Sequence, residues 1–315
     1  MSCSNAFARR YCTAALILLF AVAFLPLGNP VPTCNAAEPV RLTTDGRIKR
    51  DPVVWPDGKS ISYSTVTDAG VSRIMRLNLA DGSTSLFHPQ ETQPDRELTV
   101  SSDGSVYAFV HVTPDGQRGM IIVKDSNRSK SIKLEPGKFA LWPTLSPSGK
   151  RIVFTIDATA MVAVDLEMIQ TSELKFEAKT GGPVLRLTND GATYGDLWPK
   201  FSPNGRTLVF SSRRDDDFEI YLTGIDGKGQ LRLTHSPGID THPSFSPDGK
   251  RIAFTSNRDR NYEIYTMKVD GSDVRRITNN PGRDDFAYWH PDGDRLIIVS
   301  QRKGSYDLYS ITLDE

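Results

Sequence analysis

Acidic side chains recur at one position relative to a repeated turn motif. The clearest copy of the motif is Ser246-Pro247-Asp248-Gly249, in which proline fixes φ and Asp-Gly supplies the acceptor and the positive φ that reverse the chain. Nine residues before the glycine of each copy stand Lys49, Asp95, Ala140, Asp196, Asp240 and Asp284. Four carboxylates gathered at one place are oxygen ligands of the kind that calcium takes, so these positions are candidate functional residues.

Arginines recur at the mirror position, nine residues after the glycine, in the last three copies: Arg214, Arg258 and Arg302. Strands joined by a tight turn are antiparallel, so each arginine returns beside the aspartate nine residues before the glycine. Three roles stay open for these side chains: structural ion pairs, a partner-binding face that also includes Asp95, and a calcium site at Asp196, Asp240 and Asp284. We expect no catalytic residue and no other cofactor.

Other catalytic chemistry has little support in the sequence. The five histidines fall at different repeat offsets, so no metal-binding triplet can be derived from them. The serines lie mainly in turns and at strand ends, and no glycine-rich phosphate loop is present. The aromatic residues beside strand starts predict core packing, with a sugar-binding platform as the alternative: Trp55, Trp142, Trp198, Phe201, Phe245 and Trp289.

Six copies of the turn indicate the architecture that positions these residues. Their glycines are Gly58, Gly104, Gly149, Gly205, Gly249 and Gly293, which are 46, 45, 56, 44 and 44 residues apart. A period in the mid-forties with several strands per unit is typical of a propeller blade. The sequence therefore predicts an all-β, six-bladed β-propeller with four antiparallel strands per blade.

The strand after each turn alternates apolar side chains, which predicts a core between the blades. The predicted core pairs are Ile61/Tyr63, Tyr107/Phe109, Ile152/Phe154, Leu208/Phe210, Ile252/Phe254 and Leu296/Ile298. The sixth unit ends after its third strand, whereas Arg41-Leu42-Thr43 matches an outer strand with no blade before it. We therefore expect residues 40–44 to complete the last blade and to close the ring, which removes free sheet edges.

One interval between turns is longer than the others, and its extra residues are assigned to 167–183, between the third and outer strands of the third blade. This insertion is interpreted as a tolerated surface loop, with a functional role as the alternative.

The charge balance of the chain bears on its partners. Without the leader described below, the chain has 36 basic and 38 acidic residues. Such a balance provides no excess of positive charge to bind the phosphates of a nucleic acid, which argues against nucleic-acid binding.

The first 37 residues predict a secretory signal peptide. Arg9-Arg10 form the charged start, residues 13–27 form the apolar core, and Asn35-Ala36-Ala37 form a small-residue exit, with cleavage expected after Ala37. An uncleaved anchor and lipidation at Cys34 are weaker alternatives. All three cysteines lie in this leader, so the exported chain, residues 38–315, has no disulfide to stabilise it.

Taken together, the repeats of the form P-x-F-S-P-D-G-x-x-I-x-F-x-S-x-R, followed by E-I-Y, D-G and L-T, resemble the WD40-like repeats of the TolB-type β-propeller family. Asp196 to Glu315 carry the motif most fully. The family has an α/β domain before its propeller in TolB itself, and residues 38–40 leave no room for one, so the resemblance implies a TolB-like protein. It implies a propeller of the bacterial envelope, periplasmic or secreted, without a membrane span after cleavage.

The function expected from this resemblance is a non-enzymatic scaffold, a monomer, that binds an envelope protein or peptide. The same repeat occurs in propellers attached to serine peptidases and in some polysaccharide lyases. A carbohydrate-active or metal-assisted enzyme, and an accessory propeller to a separate enzyme, are therefore the alternatives.

Overall fold

The repeats fold into six β-sheets, one for each turn motif. A computed structural model describes residues 37–89, 94–112, 119–134, 138–168, 173–175, 184–188 and 195–314. The first strands of neighbouring sheets contact one another around a complete circuit. The predicted six-bladed β-propeller with four antiparallel strands per blade is confirmed.

The strands are numbered in chain order, and each blade is given from its inner strand outwards. The first blade contains β2 (Lys49–Val54), β3 (Ser60–Val66), β4 (Ser72–Asn78) and β5 (Thr84–Leu86). The second contains β6 (Asp95–Val100), β7 (Tyr107–Val112), β8 (Gly119–Lys124) and β9 (Ser129–Lys133). The third contains β10 (Ala140–Leu145), β11 (Arg151–Ile156), β12 (Ala160–Asp165) and β14 (Val184–Arg186).

The last three blades follow the same order. The fourth contains β15 (Asp196–Phe201), β16 (Thr207–Asp215), β17 (Asp217–Gly224) and β18 (Leu231–Arg232). The fifth contains β19 (Asp240–Phe245), β20 (Arg251–Ser256), β21 (Glu263–Lys268) and β22 (Arg275–Arg276). The sixth contains β23 (Asp284–Trp289), β24 (Arg295–Arg302) and β25 (Ser305–Thr312), and β1 (Val40–Arg41) is its outer strand.

The repeated turn closes each inner hairpin in the way its residues predict. In the fifth blade the Gly249 N–H donates to Ser246 O at 2.9 Å, and Gly249 has a φ of +71°, a conformation that glycine adopts without strain. The second strand then carries its apolar side chains into the core. Eleven of the twelve predicted core residues are buried, and Tyr107 is half-buried.

The N-terminal strand closes the ring as predicted. Val40 pairs with Ser310 and Arg41 with Tyr309 in antiparallel register. The closure also reproduces the side-chain contacts of a complete blade. Thr43 Oγ1 donates to Asp307 Oδ1 at 2.8 Å, as Thr278 Oγ1 donates to Glu263 Oε2 at 2.5 Å one blade earlier. The last blade is therefore complete although its strands come from both ends of the propeller.

The insertion lies where the sequence placed it, between β12 and β14. Its described part, β13 (Glu173–Lys175), pairs in parallel with β9 and gives the second blade a fifth strand. Residues 169–172 and 176–183 lie outside the described residues, as do residues 1–36 with the predicted leader and Cys34. Across the described ranges, no helix has the length and apolar character needed to cross a membrane.

Candidate functional site

Each inner strand contains one extra residue relative to its neighbour. In the third blade the register passes from Leu141 opposite Thr155 to Thr144 opposite Val153, so two residues of β10 lie opposite one residue of β11. The same shift occurs in all six blades. Such a β-bulge redirects a side chain out of the regular alternation of the strand.

The bulged residues form what we call the neck ring. They stand seven residues before each turn glycine: Asp51, Glu97, Trp142, Trp198, His242 and Phe286. Their φ angles lie between 49° and 59°, a region that non-glycine residues avoid. All six line one cavity of about 40 Å³, which lies two residues into the inner strands from the face on which those strands begin. We call that face the entry face.

A second, wider cavity of about 320 Å³ lies towards the face that bears the turns. Its wall includes a ring of turn prolines: Pro56, Pro147, Pro203, Pro247 and Pro291. Lys200 and Tyr288 line both cavities and therefore mark where the two meet. Along the axis of the propeller, the described residues thus leave a narrow neck beneath the entry face and a wider bowl beneath the turns.

The carboxylates of the neck lie in an unfavourable environment for negative charge. Glu97 is 8% exposed, and burial together with the nearby charge of Asp51 raises the pKa of Glu97 to about 7. Burial likewise raises the pKa of Asp51 and lowers that of Lys200. Among the described residues, the side chains of Asp51 and Lys200 have no hydrogen bond and no ion pair within 4 Å.

Glu97 has two contacts that fix its position. Its Oε2 accepts a hydrogen bond of 2.6 Å from the Trp142 backbone N–H, across the boundary between the second and third blades. Its Oε1 lies 3.4 Å from Arg96 Nε, and the Arg96 side chain is 34% exposed. The carboxylate is therefore held by one strong hydrogen bond and one longer ion pair.

Aromatic rings occupy the other side of the neck. The ring centroids of Trp142 and Trp198 are 5.1 Å apart, those of Trp198 and His242 are 4.1 Å apart, and those of His242 and Phe286 are 4.0 Å apart. His242 Nδ1 also lies 2.9 Å from Asp285 Oδ1. Burial opposes ionisation of Asp285, but the neighbouring His242 and Arg283 hold its pKa well below the ordinary value. The neck therefore has an acidic side and an aromatic side.

The aspartates nine residues before the turn glycines lie outside the neck. Asp196, Asp240 and Asp284 begin their inner strands, but their side chains are fully buried and do not line the neck. Arg214 Nη2 lies 3.0 Å from Asp196, Arg258 Nη2 lies 2.9 Å from Asp240, and Arg302 Nη2 lies 3.9 Å from Asp284. The antiparallel pairing expected from the turn is therefore present.

Burial leaves these aspartates with incomplete contacts. One carboxylate oxygen of each has no hydrogen-bond partner in the described structure: Asp196 Oδ2, Asp240 Oδ1 and Asp284 Oδ2. Burial raises the pKa of Asp196 and that of Asp284. The three side chains belong to three different blades, and the described residues contain no group of three acidic, histidine or cysteine side chains that could hold a metal ion. Calcium at Asp196, Asp240 and Asp284 stays a prediction.

The other members of the predicted set differ from blade to blade. Asp95 is buried between two histidines, 2.8 Å from His111 Nδ1 and 3.2 Å from His88 Nδ1. Lys49 is fully buried, and its Nζ lies 3.1 Å from Asp307. Ala140 is buried in the core between the second and third blades. The position nine residues before the glycine thus holds a buried contact that differs from blade to blade, and a partner-binding role for these residues stays a prediction.

The neck ring was missed in the sequence because its residues share no chemistry. The prediction assigned core packing to the aromatic residues, which holds for Trp289 and Phe245 but not for Trp142 and Trp198, which are half-buried in the neck. The sequence does contain one indication of the neck ring: in an otherwise regular repeat, the residue type seven positions before the glycine changes from acid to indole to imidazole. A position freed from the packing rules of the repeat is one where function can differ.

Comparisons with known proteins agree with this architecture. Residues 190–315 match the family described as TolB beta propeller domain. A structure assigned to TolB from Agrobacterium tumefaciens is 20% identical, with a TM-score of 0.63, over 87% of this chain and 93% of that one. TolB from Acinetobacter baumannii is 18% identical, with a TM-score of 0.60, over 82% of this chain. The match spans only 64% of that TolB chain.

An enzyme has the same fold. An oligogalacturonate lyase in complex with manganese is 13% identical, with a TM-score of 0.56, over 90% of this chain and 97% of that one. No curated protein sequence matches the chain. Residues 190–315 thus match the TolB beta propeller domain, and the described chain as a whole shares the six-bladed fold of these solved structures.

Proposed function

We propose that this protein is a non-enzymatic binding scaffold of the bacterial cell envelope, exported as residues 38–315, that captures a segment of another envelope protein at the neck of its propeller. The observation that carries the proposal is the neck itself. Ion-pairing groups without partners, Asp51 and Lys200, lie there beside half-buried indole rings. Such groups are costly in the free protein and become favourable when a ligand completes their contacts.

The scaffold around the neck supports this proposal. Every neck residue projects from a strand that is hydrogen-bonded on one side and packed against the neighbouring blades, so the site is formed before a ligand arrives. A pre-formed site avoids the entropy cost of ordering loops when a ligand binds. The entry face also carries the exposed hairpin at residues 213–217, which can contact the rest of a partner.

The test is a comparison of matched baits. The exported protein would be used to capture proteins from envelope extract, beside a Trp142→Ala/Trp198→Ala double variant and a Lys250→Ala control on the exposed turn face, where the Lys250 side chain is 81% exposed. We expect a protein that the wild type and the control retain and the double variant loses. The bound protein would then be titrated as a purified pair. Equal retention by all three folded baits would reject the neck as the docking site.

A second candidate function is an enzyme acting on acidic polysaccharide. The observation in its favour is the raised pKa of Glu97, near neutrality and inside a cavity, because a general base works best when its pKa is close to the ambient pH. The lyase with the same fold makes this substrate class the natural one to examine. The enzyme hypothesis predicts turnover of polygalacturonate that depends on Glu97 and is abolished by a chelator. Absence of turnover with and without manganese would exclude it for that substrate.

A further inference from the structure

We propose that the neck ring is a receptor for a primary ammonium group, as carried by the lysine side chain of a partner protein. This inference rests on the proposed function, because it assigns the chemistry of the segment that the neck captures. It follows from three features of the neck: its size, the arrangement of its two sides, and the balance of charge within it.

The size of the cavity restricts what can enter. By the same measure of volume, one water molecule needs about 10–15 Å³, so the neck of about 40 Å³ has room for about three waters. A whole sugar ring is too large to enter this space, so a saccharide would reach Glu97 only from its rim. An ammonium group with the last one or two methylenes of its chain fits.

The two sides of the neck match the two parts of such a group. Asp51 and Glu97 stand on adjacent blades and offer carboxylate oxygens to the N–H donors. The rings of Trp142, Trp198 and Phe286 stand on the other blades and offer π faces to the charge and to the methylenes. Carboxylates opposite aromatic rings are the combination that favours an organic cation over an inorganic one.

The charges around the neck have to be considered together. Three cationic side chains lie near the carboxylates. Arg96 lies 3.4 Å from Glu97 and is one-third exposed, Lys200 has no ion pair within 4 Å among the described residues, and Arg50 attracts Asp51 through its charge. Burial lowers the pKa of Lys200 in spite of the attraction of Asp51 and Glu97. Among the described residues no cation is within ion-pair distance of Asp51, and an entering ammonium group would supply that contact.

A direct test uses the four tryptophans as reporters. The chain has four indole N–H groups, two in the neck, Trp142 and Trp198, and two elsewhere, Trp55 and Trp289. The protein labelled with 15N in the indole would be titrated with n-butylammonium, with n-butanol and with butyrate, which share a chain and differ in charge. We expect saturable shifts of the two neck signals with n-butylammonium, at least tenfold weaker binding of the other two probes, and no shift of Trp55.

Variants separate charge from shape. Glu97→Gln keeps the acceptor for the Trp142 N–H, and Asp51→Asn keeps a residue type that tolerates positive φ. Each is expected to weaken n-butylammonium binding about tenfold, whereas Lys250→Ala leaves it unchanged. Stronger binding of butyrate, saturation by calcium chloride but not by n-butylammonium, or no saturable shift up to 100 mM, roughly the weakest binding to be expected of so small a ligand, would overturn the proposal.

The outcomes also distinguish this inference from the function on which it rests. If the partner is captured through the neck but n-butylammonium does not bind, the scaffold function stands and the ammonium assignment fails. If n-butylammonium binds but no protein depends on the neck for capture, the assignment stands and the scaffold function fails.

Discussion

Lys49 Nζ lies 3.1 Å from Asp307 Oδ1, and both side chains are fully buried where the last blade meets the first. The corresponding positions at the preceding junction hold two acids, Glu263 of the fifth blade and Asp284 of the sixth. The charge of Asp284 raises the pKa of Glu263 further above the level set by burial. At the closing junction, hydrogen bonds from Arg41, Thr43 and Lys49 outweigh burial, and the pKa of Asp307 is lowered.

These opposite shifts predict opposite pH dependences for two neutral variants. Asp307 has a lowered pKa in the folded state, so its ionised form stabilises the fold above about pH 4 and that stability is lost as the pH falls through the folded pKa. Asp307→Asn should therefore be less stable than wild type at pH 7, and the difference should shrink as the pH falls below about 4. Unfolding in urea at several pH values measures this difference.

Glu263 should behave in the reverse sense. Its pKa is raised in the folded state, so the wild type loses stability as the pH rises from about 4 through the folded pKa. Glu263→Gln does not titrate, so its stability relative to wild type should improve between pH 4 and pH 8. The slope of stability against pH is the test, since contacts that do not depend on the charge of Glu263 add only a constant offset. Parallel slopes for the two variants would contradict the assignment.

The closing strand predicts a second pair of matched variants. Thr43 Oγ1 donates to Asp307 and accepts from the Leu308 N–H at 3.0 Å, and Thr278 Oγ1 makes the equivalent contacts with Glu263 and the Ile264 N–H. Replacing either threonine by valine leaves buried polar groups unsatisfied, which costs about 1–3 kcal/mol. Urea unfolding should therefore show a similar loss in Thr43→Val and Thr278→Val.

Proteolysis separates the two variants. Thr43 follows β1, which is held in the sixth blade by hydrogen bonds and continues along the chain into the first blade, whereas Thr278 lies within a continuous blade. Faster cleavage near residue 40 is expected in Thr43→Val alone. If Thr43→Val were as stable and as resistant as wild type, the hydroxyl would have no part in closing the ring.

The fold was predictable from the sequence because it depends on features that repeat. The turn residues fix six hairpins, and the apolar alternation after each turn fixes which face is buried, so Ile252 and Phe254 were assigned correctly. The unpaired Arg41-Leu42-Thr43 then required the closing strand. Each inference used local chemistry that is the same in several blades.

The neck was not predictable in the same way. A strand that alternates strictly places Asp240 and His242 on one side, but the bulge breaks the alternation, so Asp240 is buried against Arg258 while His242 reaches the channel. The extra residue cannot be recognised in the sequence of a single strand, because contacts with other blades offset the backbone strain that it introduces. Here the three-dimensional register was needed.

The positive φ at the bulges predicts the relative stability of two variants of Phe286. Phe286 has a φ of +55°, a conformation that β-branched residues tolerate poorly and glycine adopts freely. Phe286→Gly and Phe286→Val both remove the ring from the neck, but valine adds backbone strain of about 1–2 kcal/mol. Thermal unfolding should therefore show Phe286→Val to be the less stable variant, although valine retains more apolar surface. The reverse order would show that the bulge is not maintained in solution.

A fourth prediction concerns the pH dependence of ligand binding in the neck. The pKa of Glu97 is raised to about 7, so its carboxylate is largely protonated at pH 6 and largely ionised at pH 8. A cation needs the ionised form, and the affinity for n-butylammonium should therefore rise between these two values. In Glu97→Gln the rise should be absent or much smaller.

Several other groups line the neck or act through charge on the groups in it, and their effects have to be separated from that of Glu97. They are Asp51, Lys200, His242, Asp285, Arg50, Arg96 and Arg283. Asp285 stays ionised because its pKa is lowered, and the arginines stay charged. Lys200, with its lowered pKa, would favour a cation at high pH by losing its own charge. If the rise in affinity with pH persists in Lys200→Met and disappears in Glu97→Gln, it is due to ionisation of Glu97. The opposite pattern would assign the rise to Lys200.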